Sequence, residues 1–540
     1  MIYARCPVAS SPSMHPPLIE RRQFLLTGGL ALLAAGAPAY ARSGPTARTT
    51  PFTLGVASGD PVPDGFVLWT RLATDPLASD GQGGLFAPAR VLWEVAEDET
   101  MRRVVRTGQA VADARFAHSI HVEVDGLKPD RPYWYRFTSL GHQSDIGQAR
   151  TAPAPNARVE RLTLGMATCA HWELGYFAAY RHLAAERPDL VLFLGDYIYE
   201  YSYRGDRAKG RTVRAHDRQD DVVDLAGYRN RYALYKTDPD LQALHAVAPC
   251  LMTWDDHEVQ NDYSNQWSQD PEVSTEAFLR RRAAAYRAFY EHMPLRPRSR
   301  PHGPDMRIYD RLRYGDLAEF LVLDGRQYRS IQPCPTPTWR GGHVVPETCP
   351  EMTDPSRTML GARQERWLYD GFKRADARWT VMVQDLLVAP INQTGKDGQE
   401  GHFTDGWDGY QANRGRMLDA LAASRAPNPV FLGGDIHSFW ATDLKTDFRK
   451  DGAPAVASEF VAAAISQEGP PKGAFDKVQA RNPHVRYVDL ETNGYASLTL
   501  TREAIETRFQ AISDRKDPAA TVRGLQRFAV EAGRPGVQLA

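Results

Sequence analysis

Cysteine is scarce. Five in 540 residues are too few to staple a chain of this length, so a hydrophobic core must carry the fold. An excess charge of one sign is also missing: 65 Lys and Arg stand against 66 Asp and Glu, a net −1. That excludes a basic nucleic-acid binder and a halophile-like acidic surface. Beyond the N-terminus no sustained apolar run occurs, which excludes a multi-span membrane protein. Internal repeats and low-complexity tracts are absent. So are the Gly-x-x-x-x-Gly-Lys-Ser/Thr phosphate loop, the Gly-x-Ser-x-Gly elbow and the His-Glu-x-x-His zinc pair, which argues against three common hydrolytic chemistries. What remains is 42% apolar and 24% charged, an ordinary globular balance that excludes general disorder. The length exceeds one compact core, and ~150 residues per domain allows two to four units.

Residues 1–41 read as a twin-arginine export signal. Arg21-Arg22 precedes an apolar run, Phe24–Ala37, shorter than the ~20 residues a bilayer span needs. Ala39-Tyr40-Ala41 follows as a small-x-small cleavage site. This predicts a protein exported folded to the periplasm or the medium, with no stable membrane insertion. A cofactor loaded before export fits that route. In an oxidising compartment Cys334 and Cys349, in one Pro/Gly-rich stretch, are placed for a local disulfide, while Cys250 reads as an inert core residue.

Residues 42–155 carry short strands alternating in period two, such as Phe66–Thr70, Arg90–Val95, Ser119–Val124 and Pro132–Phe137, and predict a small all-β sandwich. From 156 to 505 strand-length apolar runs alternate with helix-length segments, which predicts layered α/β architecture. Helical patterns cover Tyr176–Glu186, Thr275–His292, Ala362–Arg374 and Tyr410–Ala423. Residues 506–540 read as a strand followed by a helix over Asp517–Gly533, with Val522, Leu525, Phe528 and Ala529 on one face.

Four apolar strands end in metal-capable side chains, where α/β sheets tend to bind ligands. Leu162–Ala167 leads to Cys169, a soft thiolate ligand or a buried free thiol. Leu190–Leu194 runs into Gly195-Asp196, with Tyr199 three residues on. Leu251–Trp254 ends in Asp255-Asp256-His257-Glu258, with Asn261 and Asp262 beyond; these can ligate or form an acid with its orienting group. Val430–Leu432 meets Gly433-Gly434-Asp435-Ile436-His437, and alternation puts Asp435 and His437 on one side if the backbone stays extended. Together the four argue for a multinuclear metal site. Hard oxygens suit Ca²⁺, Mg²⁺ or Mn²⁺; Tyr and Cys suit a ferric ion. Metal-assisted phosphoester hydrolysis is the chemistry such a site serves.

The chain resembles the PhoD-type alkaline phosphatases over most of its length. The resemblance rests on Gly55–Pro61, Gly195–Glu200, Trp254–Val259, Leu323–Arg329, Trp407–Tyr410 and Gly434–Ser438. It implies a calcineurin-like metallophosphatase core, a β-sandwich flanked by helices, behind the small β-domain. It implies Fe³⁺ held by Cys169, Asp196, Tyr199 and His437, with Asp196 bridging to Ca²⁺ near Asp435. Mg²⁺, Mn²⁺ or Zn²⁺ fit this pattern less well. Where calcineurin-like enzymes have Gly-Asn-His-Glu, this chain has Asp255-Asp256-His257-Glu258, which leaves Asp256 and Asn261 both open as ligands. His257 is implied as proton donor or phosphate contact, with Asp256 beside it in the catalytic pair, and Arg231 is a weaker phosphate-contact candidate. The implied activity is hydrolysis of small phosphate monoesters and diesters at alkaline pH, with nucleic acid outside the expected partners. The alternatives are a phospholipase D-like phosphodiesterase on the same fold and a non-catalytic periplasmic metal- or phosphate-binding protein. In this family a C-terminal helix can cover the active site, which makes the 517–533 segment a candidate cover.

Overall fold

Runs such as Leu190–Leu194, apolar at all five positions and buried throughout, form strands covered on both faces. The computed structural model, which describes residues 46–540 except 206–207, 395–399, 451, 472 and 476, assembles them into a mixed α/β protein with several sheets. The export-signal reading of residues 1–41 lies outside the described residues. The larger sheet has ten strands, with Arg161–Ala167, Leu190–Leu194 and Cys250–Thr253 adjacent and parallel at its centre. The second has seven, with Ala318–Val322, Trp379–Val383, Pro429–Gly433 and Ala457–Val461 adjacent and parallel.

The period of two along each central strand sorts side chains between cores. Leu190 and Leu192 join Phe320, Val381 and Val430 of the other sheet in one apolar cluster. Val191 and Phe193 point the opposite way, into a cluster with Tyr232, Phe278, Tyr286 and Phe289 of the helices Leu225–Lys236 and Thr275–His292. On the second sheet Leu321, Met382 and Phe431 meet Leu368 and Phe372 of helix Gly361–Arg374 and Met417 and Leu418 of helix Gln411–Ser424. Truncating a buried leucine in such a core costs ~2–5 kcal/mol. Caps sit where the sequence places them: Asp224, Asp238 and Ser274 each accept a first-turn backbone N–H.

The N-terminal strands do not close on themselves. Val56–Val62, Gly65–Arg71 and Ser119–Val124 extend the ten-stranded sheet, joined by the parallel pairing of Gly59 with Cys250. A separate five-stranded sheet packs over them through Phe66, Leu68, Val91, Val95 and Phe137.

The helix expected over Asp517–Gly533 is absent. Val522–Glu531 is a strand of the ten-stranded sheet, paired with Ala504–Ile512 and Arg534–Leu539. Phe528 and Val530 are buried while Arg527, Ala529 and Glu531 are more exposed, so the operative period is two. Nine register pairs with a neighbouring strand outweigh a weak helical spacing. Cys334 and Cys349 form a disulfide, and Cys250 is a buried free thiol. Among the described residues no helix is long and apolar enough to cross a membrane.

Candidate metal centre

The three parallel strands Arg161–Ala167, Leu190–Leu194 and Cys250–Thr253 deliver Cys169, Asp196 and the Asp255–Glu258 cluster just past their carboxyl ends, and Pro429–Gly433 delivers Asp435 and His437 from the opposing sheet. Two glycines make the approach. A Cβ at Gly195, whose φ is +88°, would lie 2.4 Å from the Cβ of Asp255, and one at Gly434 would lie 2.5 Å from Thr168 Oγ1. Cys169, Asp196, Asp435 and His437 all have positive φ, between 52° and 65°. Asp435 and His437 therefore converge through a left-handed backbone, not through the extended alternation expected. Non-glycine residues adopt this region at a cost, and it clusters at functional sites.

Ligand atoms of Cys169, Asp196 and His437 lie within 4.8 Å of one another, as do those of Asp196, Asp256 and His257, of Asp255, Asp256 and Asp435, and of Asp256, Asp262 and Asp405. The Tyr199 hydroxyl donates to Asp196 Oδ2 at 2.7 Å and lies 3.2 Å from His437 Nε2. Glu258 accepts the backbone N–H groups of Asp196, Tyr197 and Asp255 at 3.2, 2.5 and 2.8 Å, so one carboxylate fixes two strand-end loops. His257 Nδ1 lies 2.7 Å from Glu200 Oε2.

Burial pushes the Cys169 thiol and the Asp196 and Asp435 carboxyls well above their ordinary ranges, and neighbouring carboxylates add to the effect. Asp262 is pushed up to about 8 by burial, Asp405 and Asp256. Burial opposes a charge on His257, but Asp256, Asp196 and Glu200 outweigh it and hold its pKa well above the usual histidine value. Such a surplus of buried acid is what cations relieve. The buried Oδ1 atoms of Asp196 and Asp256 have no hydrogen-bond partner among the described residues. A thiol, a phenol, an imidazole and several carboxylates with free lone pairs fit bound metal ions.

Arg326 answers part of that charge, and sequence reasoning did not single it out. Its fully buried guanidinium pairs with Asp255 and with Asp405 at 2.5 Å, and lies 3.4 Å from Asp385, 3.5 Å from Asp435 and 3.8 Å from Asp256. Arg329 also binds Asp405, at 2.6 Å. The signal was present: Ala318–Val322 is a fifth apolar strand that runs into Asp324-Gly325-Arg326. Arg231, read as a phosphate contact, is instead fully buried and donates to the carbonyls of Tyr199 and Tyr201. It braces the loop behind the site. Asn261 lines the cavity with Asp256, but its Nδ2 donates to Gln269 Oε1 at 2.7 Å. Asp196, Asp256, His257, Asn261, Asp435 and His437 face one cavity of about 280 Å³. No residue of the 517–533 segment lines it, so that segment is not its cover.

Comparison with known proteins agrees with this chemistry. The family described as PhoD-like phosphatase matches residues 164–509, and its N-terminal domain matches residues 37–153. Alkaline phosphatase D of Bacillus subtilis (strain 168) is 39% identical over 530 residues, covering 96% of this chain and 89% of that protein. A solved structure described as the structure of PhoD superposes with a TM-score of 0.85 at 40% identity, covering 92% of this chain and 93% of the other.

Proposed function

Since the chain belongs to the PhoD-like phosphatases and is a metal-dependent phosphoesterase of the alkaline phosphatase D kind, we propose that it is an exported hydrolase of small phosphate monoesters and diesters, built on a calcineurin-like core with residues 42–155 as an accessory β module. Cys169, Asp196, Tyr199 and His437 would hold a ferric ion, because a thiolate and a phenolate suit it. Asp196, Asp256 and Asp435 would hold calcium. The choice of Asp256 over Asn261 rests on its three ligand clusters and its free Oδ1. Cations bound there would offset charge on the phosphoryl oxygens during in-line displacement and activate an oxygen nucleophile. His257 would give its proton to the departing alcohol oxygen. Glu200 orients it, and the neighbouring carboxylates favour its protonated form. Arg326 would hold Asp255 in place and help keep Asp405 ionised.

The observation that carries this reading is the convergence of the four strand ends, three of them lining one cavity and the fourth bringing Cys169 within ligand distance of Asp196 and His437. Asp196→Ala and His437→Ala should each lose iron, by elemental analysis, together with turnover of a chromogenic phosphate ester. Full phosphatase activity after exhaustive chelation would sink the proposal. Export is tested separately: with Arg21→Lys and Arg22→Lys combined, the protein should stay in the cytoplasm.

A further inference from the structure

The cavity is chemically two-sided. Besides the carboxylates, the cavity is lined by apolar groups, Leu387, Ile391, Phe403, Trp407, Ile436 and Phe475, with the polar Gln393 and Asp408 among them. Leu387, Ile391, Ile436 and Phe475 come from loops, Trp407 opens the 3-10 helix Trp407–Tyr410, and Phe403 ends the short strand Glu400–Phe403. Leu387, Ile391, Trp407 and Phe475 are packed into the core behind the wall, so the surface they present is firm. Phe403 is different. It is a large apolar side chain that remains 37% exposed at the cavity. It is held there by design of the backbone around it: Val344 pairs with it across an antiparallel bridge, and a Cβ on Gly342 would strike its ring at 2.5 Å. Both residues lie inside the loop closed by Cys334–Cys349. Among the described lining residues there is no lysine or arginine.

A phosphate ester bound with its phosphoryl group at the carboxylate side must send its alcohol portion somewhere within the cavity. We propose that the alcohol portion is apolar, an aryl group or an alkyl chain, that it lies along this wall, and that Phe403 is the residue it covers. This deepens the phosphoesterase reading and rests on it. A polar alcohol portion laid on these side chains would lose water against apolar surface, whereas each methylene buried there gains ~0.8 kcal/mol.

The test uses the metal-loaded full-length enzyme and n-alkyl phosphates from methyl to octyl. Beyond ethyl the leaving alcohols hardly differ in acidity, so the trend reports contact. The expected result is a rise in kcat/KM of roughly three- to fourfold per methylene until the wall is covered. Phe403→Ala should lower the octyl-to-methyl ratio at least roughly tenfold, and Phe403→Leu should restore part of it. Turnover that is flat with chain length, or a Phe403→Ala ratio equal to the parent's, would overturn the apolar wall while leaving the phosphoesterase intact. No turnover of any member would overturn the phosphoesterase reading and this proposal with it.

Discussion

The two sides of the cavity are made by different means. The carboxylate side is built at strand ends, from backbone that only a surrounding fold could enforce. Five non-glycine residues there, Cys169, Asp196, Asp262, Asp435 and His437, have positive φ, each costing ~1–3 kcal/mol, and buried acids crowd around one buried arginine. Apart from Ile436, which sits between Asp435 and His437, the apolar side comes from other connecting segments, with ordinary packing, a disulfide and a few clamps. Chemistry that must not vary is tied to the sheets. Contacts that choose a substrate are tied to segments that can change without disturbing them.

The contrast can be broken from either side. The largest effect is expected from removing a convergent ligand: Asp196→Ala should lower kcat by at least roughly a hundredfold, since even groups that only orient metal ligands cost 10–100-fold, and the loss should be the same for methyl and octyl phosphate. Next is Arg326→Met. It strips several buried carboxylates of their cation, and breaking such pairs from one side costs ~3–5 kcal/mol. Chemical denaturation should show that loss in metal-free protein, and a partial recovery on adding metal would show that the ions share the same task.

On the apolar side the effects should be smaller and selective for the alcohol. Replacing both Cys334 and Cys349 by Ser frees a loop of this length, worth ~3 kcal/mol in the chain-entropy account. Because that loop holds Phe403, the variant should lose more kcat/KM on octyl than on methyl phosphate. Equal losses would mean that the loop does not shape the wall. The smallest change is expected at Glu459. It is fully buried and accepts the N–H groups of Val388 and Ala389 at 2.6 and 3.1 Å, beside Leu387. Burial raises its pKa from 4.5 to about 7. Between those values the folded protein binds more protons than the unfolded chain, so this group's contribution to stability falls as pH rises from about 4.5 to about 7. Glu459→Gln should remove that slope from a series of thermal unfolding measurements across this range, with little change at the carboxylate side.

Much of this was legible without coordinates. Leu190–Leu194 and Ser119–Val124 are strands with the bounds that alternation and apolar runs predicted, and Thr275–His292 is a helix over its predicted range. The C-terminal segment was misread because Val522, Leu525, Phe528 and Ala529 satisfy a helical spacing while Phe528 and Val530 satisfy a strand's. Only the pairing with Ala504–Ile512 chooses between them. Arg231 was misplaced for a related reason. A helix pattern says which residues share a face, but not that this face looks onto backbone carbonyls of the loop after Asp196.

The amino-acid sequence by itself determined the list of reactive groups and their address. Apolar strands followed by glycine and a metal-capable side chain are local features, and local features survive in one dimension. Tertiary structure alone decided which groups meet. The left-handed turns at Cys169, Asp196, Asp435 and His437, the threading of Arg326 among carboxylates from four other segments, and the meeting of Phe403 with Asp196, Asp256 and Asp435 in one cavity all depend on two sheets packed against each other. The physical reason is distance along the chain. Asp196 and His437 are 241 residues apart in number, 437 against 196, and no local propensity acts over that range; only the burial of the sheets' shared apolar faces brings them within reach.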